Sequence, residues 1–364
     1  MNFVRIAQNI YFDPKFEGKY DLLRYNTGIF IRRDKIVTFL ACRIDKTEHG
    51  VKHQLVQMPL EDLCEGEVVI RVHYSGVNYK DALGATGRGQ ILKQFPLNGG
   101  IDLAGVVETS VDARFQPGDE VLVNGCGLGE SHDGGLAEMA RVPADWVIPV
   151  PHGLTMKECM VLGTAGFTAG LAIHRMQENN QSIDKGPIVV TGASGGVGSI
   201  AVDMLSQLGY EVVALSGRRE FDEYLSELGA SKVCSPESLE LGKRPLEKGL
   251  FGGVIDNVGG ELLAQLIAHT NLWGNVASIG LASGHRLDTT VFPFILRGVS
   301  VLGVSSTNCP MPLRRAIWNK MGDSLKPKHL DKILTETVAL KDVSSVFDAL
   351  LDRQKHGRIV IDCR

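Results

Sequence analysis

Four glycines fall within seven residues at Gly192–Gly198, in the stretch VVTGASGGVGS that starts at Val189. The preceding PIVVT is a short apolar run and the following SIAVDMLSQL has helical apolar spacing, so the glycines form a strand-to-helix turn. The turn presents free backbone N–H groups and the positive end of a helix dipole, which suits it to hold an anion. The hexad Ala193-Ser194-Gly195-Gly196-Val197-Gly198 is G-x-G-x-x-G with alanine at the first glycine, Gly192 lying one residue earlier. Gly195 and Gly196 let the backbone approach a phosphate, and Gly198 lets the helix pack closely on the strand. A bare βα turn has no use for so many glycines, each of which costs backbone entropy. The pyrophosphate of a dinucleotide is therefore the implied ligand.

The next apolar strand, Glu211–Leu215, ends in Ser216-Gly217-Arg218-Arg219. A site selecting NAD(H) places Asp or Glu at this point, about 20 residues past the turn, to hold the ribose 2′-OH. No acid stands there. Ser216 can donate to a 2′-phosphate, and Arg218 or Arg219 can offer a planar fork. Cations at a helix start oppose the helix dipole unless an anion joins them. NADP(H) is favoured over NAD(H).

These residues must be positioned by the rest of the chain. Its 364 residues suffice for two domains, and 44% hydrophobic and 22% charged content are those of an ordinary globular enzyme. A net charge of −4 argues against generic nucleic-acid or membrane-surface binding, and no apolar run approaches the roughly 20 residues of a membrane helix. Seven scattered cysteines without a CxxC pair fit a reducing cytoplasm and no structural zinc. From Val37 to about Pro151 the pattern is β-rich. In VVIRVHYSGV, Ile70, Val72 and Tyr74 alternate with Val69, Arg71 and His73, and a Pro117-Gly118 turn leads into another strand. A small barrel or sandwich is expected. After Pro151 a helix (LTMKECMVLGTAGFTAGLAIHRM) precedes alternating strands and helices: helix Gly198–Leu208, helix Glu220–Leu228, strand Gly253–Asp256, then NVASIGL and VSVLGVS. This alternation predicts a doubly wound parallel sheet, and the tail reads as a helix and a last strand. Residues 1–34 mix aromatics and charges without periodicity, and are set apart as an extension of unknown role.

Taken together, GVNYKDAL, PLNGGIDLAGVV, FQPGDEVL, GGLAEMARVPADW, GTAGFTA and VTGASGGVGS resemble the medium-chain dehydrogenase/reductase superfamily, in its zinc-independent, quinone-oxidoreductase-like branch. GRGQILKQFPLNGGIDLAG, VALSGR, RPLEK and TTVFPFILRGVSVLGVSS are similar to the pattern of NADPH-dependent acrylyl-CoA reductases. The resemblance implies a GroES-like β-barrel catalytic domain at 35–154 and 307–364 around a Rossmann NADP-binding domain at 155–306, with the active site in the cleft between them. Zinc-dependent relatives carry a Cys-His pair where this chain has Asn78-Tyr79-Lys80-Asp81, so no catalytic metal is expected. Carried over by motif, the cofactor contacts are Tyr79, Ser194, Gly195, Gly196, Val197, Ser216, Gly217, Arg218, Leu281, Ile295, Ser306 and Arg358.

The activity implied is NADPH-dependent reduction of acryloyl-CoA or another short 2-enoyl-CoA in the cytoplasm. Tyr79 is the candidate catalytic group, as a donor to substrate or a positioner of the nicotinamide; packing on the cofactor is its simpler role. Lys80 and Asp81 read as structural polar groups at a helix start. Arg88 and Lys93, on the loop GATGRGQILKQ, are candidate contacts for coenzyme A phosphates, or a solvated loop. A quinone or enone reductase of the same fold is the first alternative, and a non-catalytic NADPH-binding protein the second. The VSVLGVS strand is a candidate for pairing across a homodimer, or the buried last strand of the sheet.

Overall fold

The computed structural model describes residues 22–24, 30–32 and 38–364. Apart from two paired three-residue strands, Leu22–Arg24 and Phe30–Arg32, the extension set apart at 1–34 lies outside the described residues.

The β-rich half is organised on the strand Val68–Gly76. It pairs antiparallel with Asp102–Ser110, with Met139–Val142 and with the chain's last strand, Arg358–Asp362. Glu120–Asn124 and Ile148–Pro149 extend this seven-stranded sheet at one side and Leu334–Ala339 at the other. A three-stranded sheet, Gly50–Pro59, Thr38–Thr47 and Leu97–Asn98, is joined to it through a core that includes Ile44, Ile70, Val72, Leu103 and Val123. The alternation read from the sequence holds in part: Ile70 and Val72 are buried and Arg71 exposed, but Val69 on the opposite face is also buried and Tyr74 and His73 are both half-buried.

The second half is a six-stranded sheet, parallel throughout, in the order Lys232–Cys234, Val212–Leu215, Ile188–Thr191, Phe251–Asp256, Thr270–Ser278, Ser300–Gly303. In chain order this is 3-2-1-4-5-6, the Rossmann arrangement, with its crevice at the carboxyl ends of the first and fourth strands. Ile188, Val189 and Val190 are fully buried. At roughly 1.5–3 kcal/mol per buried aliphatic side chain, this uninterrupted run belongs at the sheet's centre. The first sheet helix, Gly196–Gln207, begins two residues before the expected Gly198. Thr270–Ser278 and Ser300–Gly303 are likewise shorter or earlier than their apolar motifs.

The helix Met156–Glu178 joins the halves. Thr155 caps it, accepting from the Glu158 N–H while the Glu158 carboxylate accepts from the Thr155 N–H. One apolar cluster runs from Ala104 and Leu122 of the seven-stranded sheet, through this helix, to Val190 and Ile255 of the Rossmann sheet. The helix kinks at Gly163, whose φ of 48° and ψ of −151° leave the helical region. A Cβ there would stand 2.5 Å from Asp102 Oδ2, so only glycine fits.

Candidate active site

The glycine turn is built as the sequence implied. Gly192 has φ 56°, the Gly195 N–H donates to the Gly192 carbonyl (3.0 Å), and the Ala193 N–H donates to Leu215 O (3.0 Å), tying the turn to the end of the second strand. A Cβ on Gly198 would meet Gly192 O at 2.4 Å and Ala193 Cα at 2.6 Å, so the helix start presses directly on the turn. At the switch point, Thr191 Oγ1 donates to Asp256 Oδ1 (2.8 Å) and Asn257 Nδ2 donates to Thr191 O (2.8 Å).

At the end of the second strand, Ser194, Ser216 and Arg218 converge. Arg218 Nη2 donates to Ser194 Oγ (3.1 Å), its backbone N–H donates to Ser216 Oγ (3.2 Å), and the two serine hydroxyls lie 3.5 Å apart. Nη1 donates to the carbonyl of Arg353 and Nη2 also to that of Lys355 (3.1 Å), which belong to the segment leading back into the seven-stranded sheet. Burial lowers the Arg218 pKa, Glu220 opposes that shift and Arg353 adds to it. Arg219 opens a short 3-10 turn and is exposed.

A second corner, with Asp81, Asp102 and Arg358 buried and Asn78 and Thr164 half-buried, lies where the halves meet. Arg358 Nε donates to Val161 O (2.9 Å), and Nη1 donates to Val77 O (2.9 Å) and Asn78 Oδ1 (3.0 Å). Asp102 Oδ2, 4.0 Å from Arg358 Nη2, accepts from Asn78 Nδ2 and the Thr164 N–H (2.8 Å each), and Oδ1 accepts from Thr164 Oγ1 (2.6 Å). Asp81 caps the helix Tyr79–Thr86: Oδ2 accepts from the Asn78 N–H (2.8 Å) and Oδ1 from the Ile101 N–H (2.9 Å). Desolvation, then the Asp102 charge, pushes its pKa up to about 7; desolvation also raises that of Asp102. Next to Arg358, the Gly357 N–H donates to Ser194 O (3.0 Å). This bond ties the buried corner to the glycine turn, and a Cβ on Gly196 would reach Arg358 Cδ at 3.0 Å.

The remaining candidates are less constrained. Tyr79 is the first residue of its helix and 48% exposed. Lys80 pairs with the buried Glu130, and Lys93 lies 3.9 Å from the same carboxylate. Arg88 is exposed on the loop after the helix, whose C-cap is Gly87. Gly217 is open: a Cβ there would meet nothing within 4 Å. Val197 is half-buried on the first sheet helix. Leu281 (68% exposed) follows the fifth strand, and Ile295 (69%) stands on the outer helix Phe292–Arg297 beside exposed Phe292 and Leu296. The Ser306 carbonyl accepts from Arg314 Nη2 (2.8 Å). Sequence reasoning missed Asp102, Thr164 and Asn257. Asp102 carried a signal, being an acid inside the otherwise apolar strand IDLAGVV.

These residues fit a dinucleotide. Nη2 of Arg358 and Oδ1 of Asn257 are buried without a hydrogen-bond partner, which is rare unless a ligand or water completes them. Asn257 follows the fourth strand beside Gly192 of the turn, and Arg358 packs its Cδ and Nη1 behind Gly196 while Nη2 lies against Gly76, Gly163 and Asp102. Among the described residues no three His, Cys, Asp or Glu side chains gather as a metal site.

Comparisons with known proteins agree with this geometry. Residues 64–152 match the alcohol dehydrogenase GroES-like domain and residues 196–323 the zinc-binding dehydrogenase family. The chain is 45% identical over 324 residues to the putative quinone oxidoreductase YhfP of Bacillus subtilis, covering 89% of this chain and 98% of that protein. It is 46% identical over 299 residues to the probable acrylyl-CoA reductase AcuI of Escherichia coli, covering 82% and 92%. Among solved structures, the yhdH oxidoreductase of Salmonella enterica in complex with NADP superposes with a TM-score of 0.86 at 42% identity, covering 89% of this chain and all of that one. B. subtilis yhfP with NAD bound gives 0.86 at 45%, covering 90% and 99%. The chain belongs to the medium-chain dehydrogenase/reductase superfamily, in its quinone-oxidoreductase-like branch, and is an oxidoreductase of that family.

Proposed function

We propose that the protein reduces the 2,3 double bond of acryloyl-CoA, or of another short 2-enoyl-CoA, to the saturated thioester with NADPH and without zinc. The observation that carries the cofactor choice is the Ser194–Ser216–Arg218 corner, which offers two hydroxyls and a guanidinium and no carboxylate. The solved relative holding NADP and the relatives named acrylyl-CoA reductase support the same reading.

When bound, the reduced nicotinamide supplies the hydride. The chain's own residues bind, orient and exclude water. Ser194, Gly195, Gly196 and Val197 receive the pyrophosphate on the turn and the helix N-terminus, and Ser216, Gly217 and Arg218 receive the 2′-phosphate. Arg358, held by Val161 O, Val77 O and Asn78 Oδ1, would back the glycine turn at Gly196. Leu281, Ile295 and Ser306 complete the cofactor's surroundings. Tyr79, exposed at the helix start beside Asn78, is the group whose hydroxyl would donate to the thioester oxygen as charge develops there. Among the described residues Arg88 has no carboxylate partner and is the stronger coenzyme A contact; Lys93 shares Glu130 with Lys80. The edge strand Ser300–Gly303, with Val301 37% exposed, is where a homodimer would extend the sheet.

A second reading, a quinone or enone reductase, is supported by YhfP's name and by its NAD-bound structure. Following NADPH consumption with acryloyl-CoA, crotonyl-CoA and a naphthoquinone side by side separates the readings. Propanoyl-CoA formed with the highest kcat/KM supports the enoyl-CoA reductase. Faster turnover of the quinone overturns it, and saturable NADPH binding without turnover of any acceptor leaves a non-catalytic role.

A further inference from the structure

Arg218 does not stand alone at its corner. Its guanidinium lies 4.3 Å over the Phe221 ring, and the His356 imidazole packs on that ring with 4.3 Å between centroids, with Tyr224 edge-on to His356 at 4.7 Å. The segment Arg353–Gly357 thus crosses from the seven-stranded sheet's half of the molecule onto the Rossmann half, touching it at Arg218, Phe221 and Ser194. It brings two further cations. Lys355 is engaged by Glu336 at 2.8 Å. Arg353 has no carboxylate partner among the described residues; its Nη2 donates only to the carbonyl of Ala282 (3.1 Å), next to Leu281. Arg218 and Arg353 therefore meet at this crossing, where the Arg353 carbonyl accepts from Arg218 Nη1, and neither guanidinium has a carboxylate hydrogen-bond partner among the described residues. Cations brought together at one corner favour an anion there.

The backbone adds an independent observation. Arg353 follows the helix Val343–Leu351 and has φ 55°, with its N–H donating to Leu350 O (3.1 Å) and the Gln354 N–H to Ala349 O (3.0 Å). This is the left-handed position that ends a helix, which glycine adopts without cost and other residues do not. An arginine held there is strained where glycine would be relaxed, and such strain collects at functional positions.

We propose that Arg353 is a second specificity residue for the 2′-phosphate of the nucleotide, supplied by the half of the molecule that does not carry the glycine turn. The proposal rests on the NADPH reading above. It implies that the phosphate-bearing nucleotide holds the two halves together at this corner, whereas a nucleotide lacking the phosphate does not engage Arg353.

Calorimetric titration of the full chain with 2′,5′-ADP and with 5′-AMP tests it without any turnover, because the two probes differ only in the 2′-phosphate. The wild type should bind 2′,5′-ADP on the order of a hundredfold more tightly. R353G, which relaxes the backbone, should keep or raise the Tm while losing roughly tenfold of that preference and leaving 5′-AMP binding unchanged. R353Q, which keeps a polar side chain without the charge, should lose the same preference, and R353K should retain most of it. If the wild type discriminates and R353G and R353Q discriminate equally well, Arg353 has no such role, while the NADPH reading stands. Equal weakening of both probes in these variants also overturns the proposal. If the wild type binds the two probes alike, the NADPH reading fails and the proposal with it.

Discussion

Two corners of one crevice treat charge in opposite ways. At the meeting of the two halves, Asp81, Asp102 and Arg358 are buried and interlocked with Asn78 and Thr164. At the end of the second Rossmann strand, Arg218 is half-exposed and leans on hydroxyls and backbone carbonyls. Burial makes the first corner rigid and costly to disturb, because each charge there has given up its water. Exposure leaves the second weak as a structural element and available to an anion. Mutations at the first corner should therefore register as stability, and mutations at the second as affinity.

The largest effect is expected from Asp102→Ala. It strands Arg358, the Thr164 N–H and hydroxyl, and Asn78 Nδ2, and should cost about 3–5 kcal/mol in urea unfolding. A loss below about 1 kcal/mol would erase the distinction between the corners.

Asp81 adds a pH signature. Its folded pKa is raised to about 7 from 3.8, so its contribution to stability is fully present below about pH 4 and is lost as the pH rises through 7. The unfolding free energy of the wild type, taken relative to Asp81→Asn, should fall between pH 4 and 7. A flat difference would mean that the carboxyl ionises normally.

Gly198→Ala comes next. Its Cβ would lie 2.4 Å from Gly192 O, which should cost roughly 1–3 kcal/mol and weaken 5′-AMP and 2′,5′-ADP binding alike, as calorimetry would show. Arg88→Ala should be smallest: unchanged Tm and a several-fold higher KM for acryloyl-CoA, the size of one exposed phosphate contact. An unchanged KM would remove Arg88 from the substrate site.

How much of this the sequence revealed differs between the corners in the same way. The glycine turn, its strand and the Ser216–Arg218 end are local in the chain, so spacing alone exposed them. The parallel sheet was legible because PIVVT and its successors are uninterrupted apolar runs. The buried corner was not legible. Asn78, Asp102, Thr164 and Arg358 are separated by up to 280 residues, and no local pattern says that the last strand returns beside Val68–Gly76. Arg358 and Tyr79 were marked by resemblance alone. Gly163 lay inside a helical pattern and gave no sign of its kink, because its conformation is imposed by Asp102 from another element. Arg353 lay unmarked in the tail, since its contact with Arg218 exists only after folding.

The most direct test of the account is the ratio of kcat/KM for NADPH to that for NADH in the wild type, measured with acryloyl-CoA. A corner of hydroxyls and guanidinium without a carboxylate predicts a preference for NADPH on the order of a hundredfold. A ratio near one, or a preference for NADH, would contradict it.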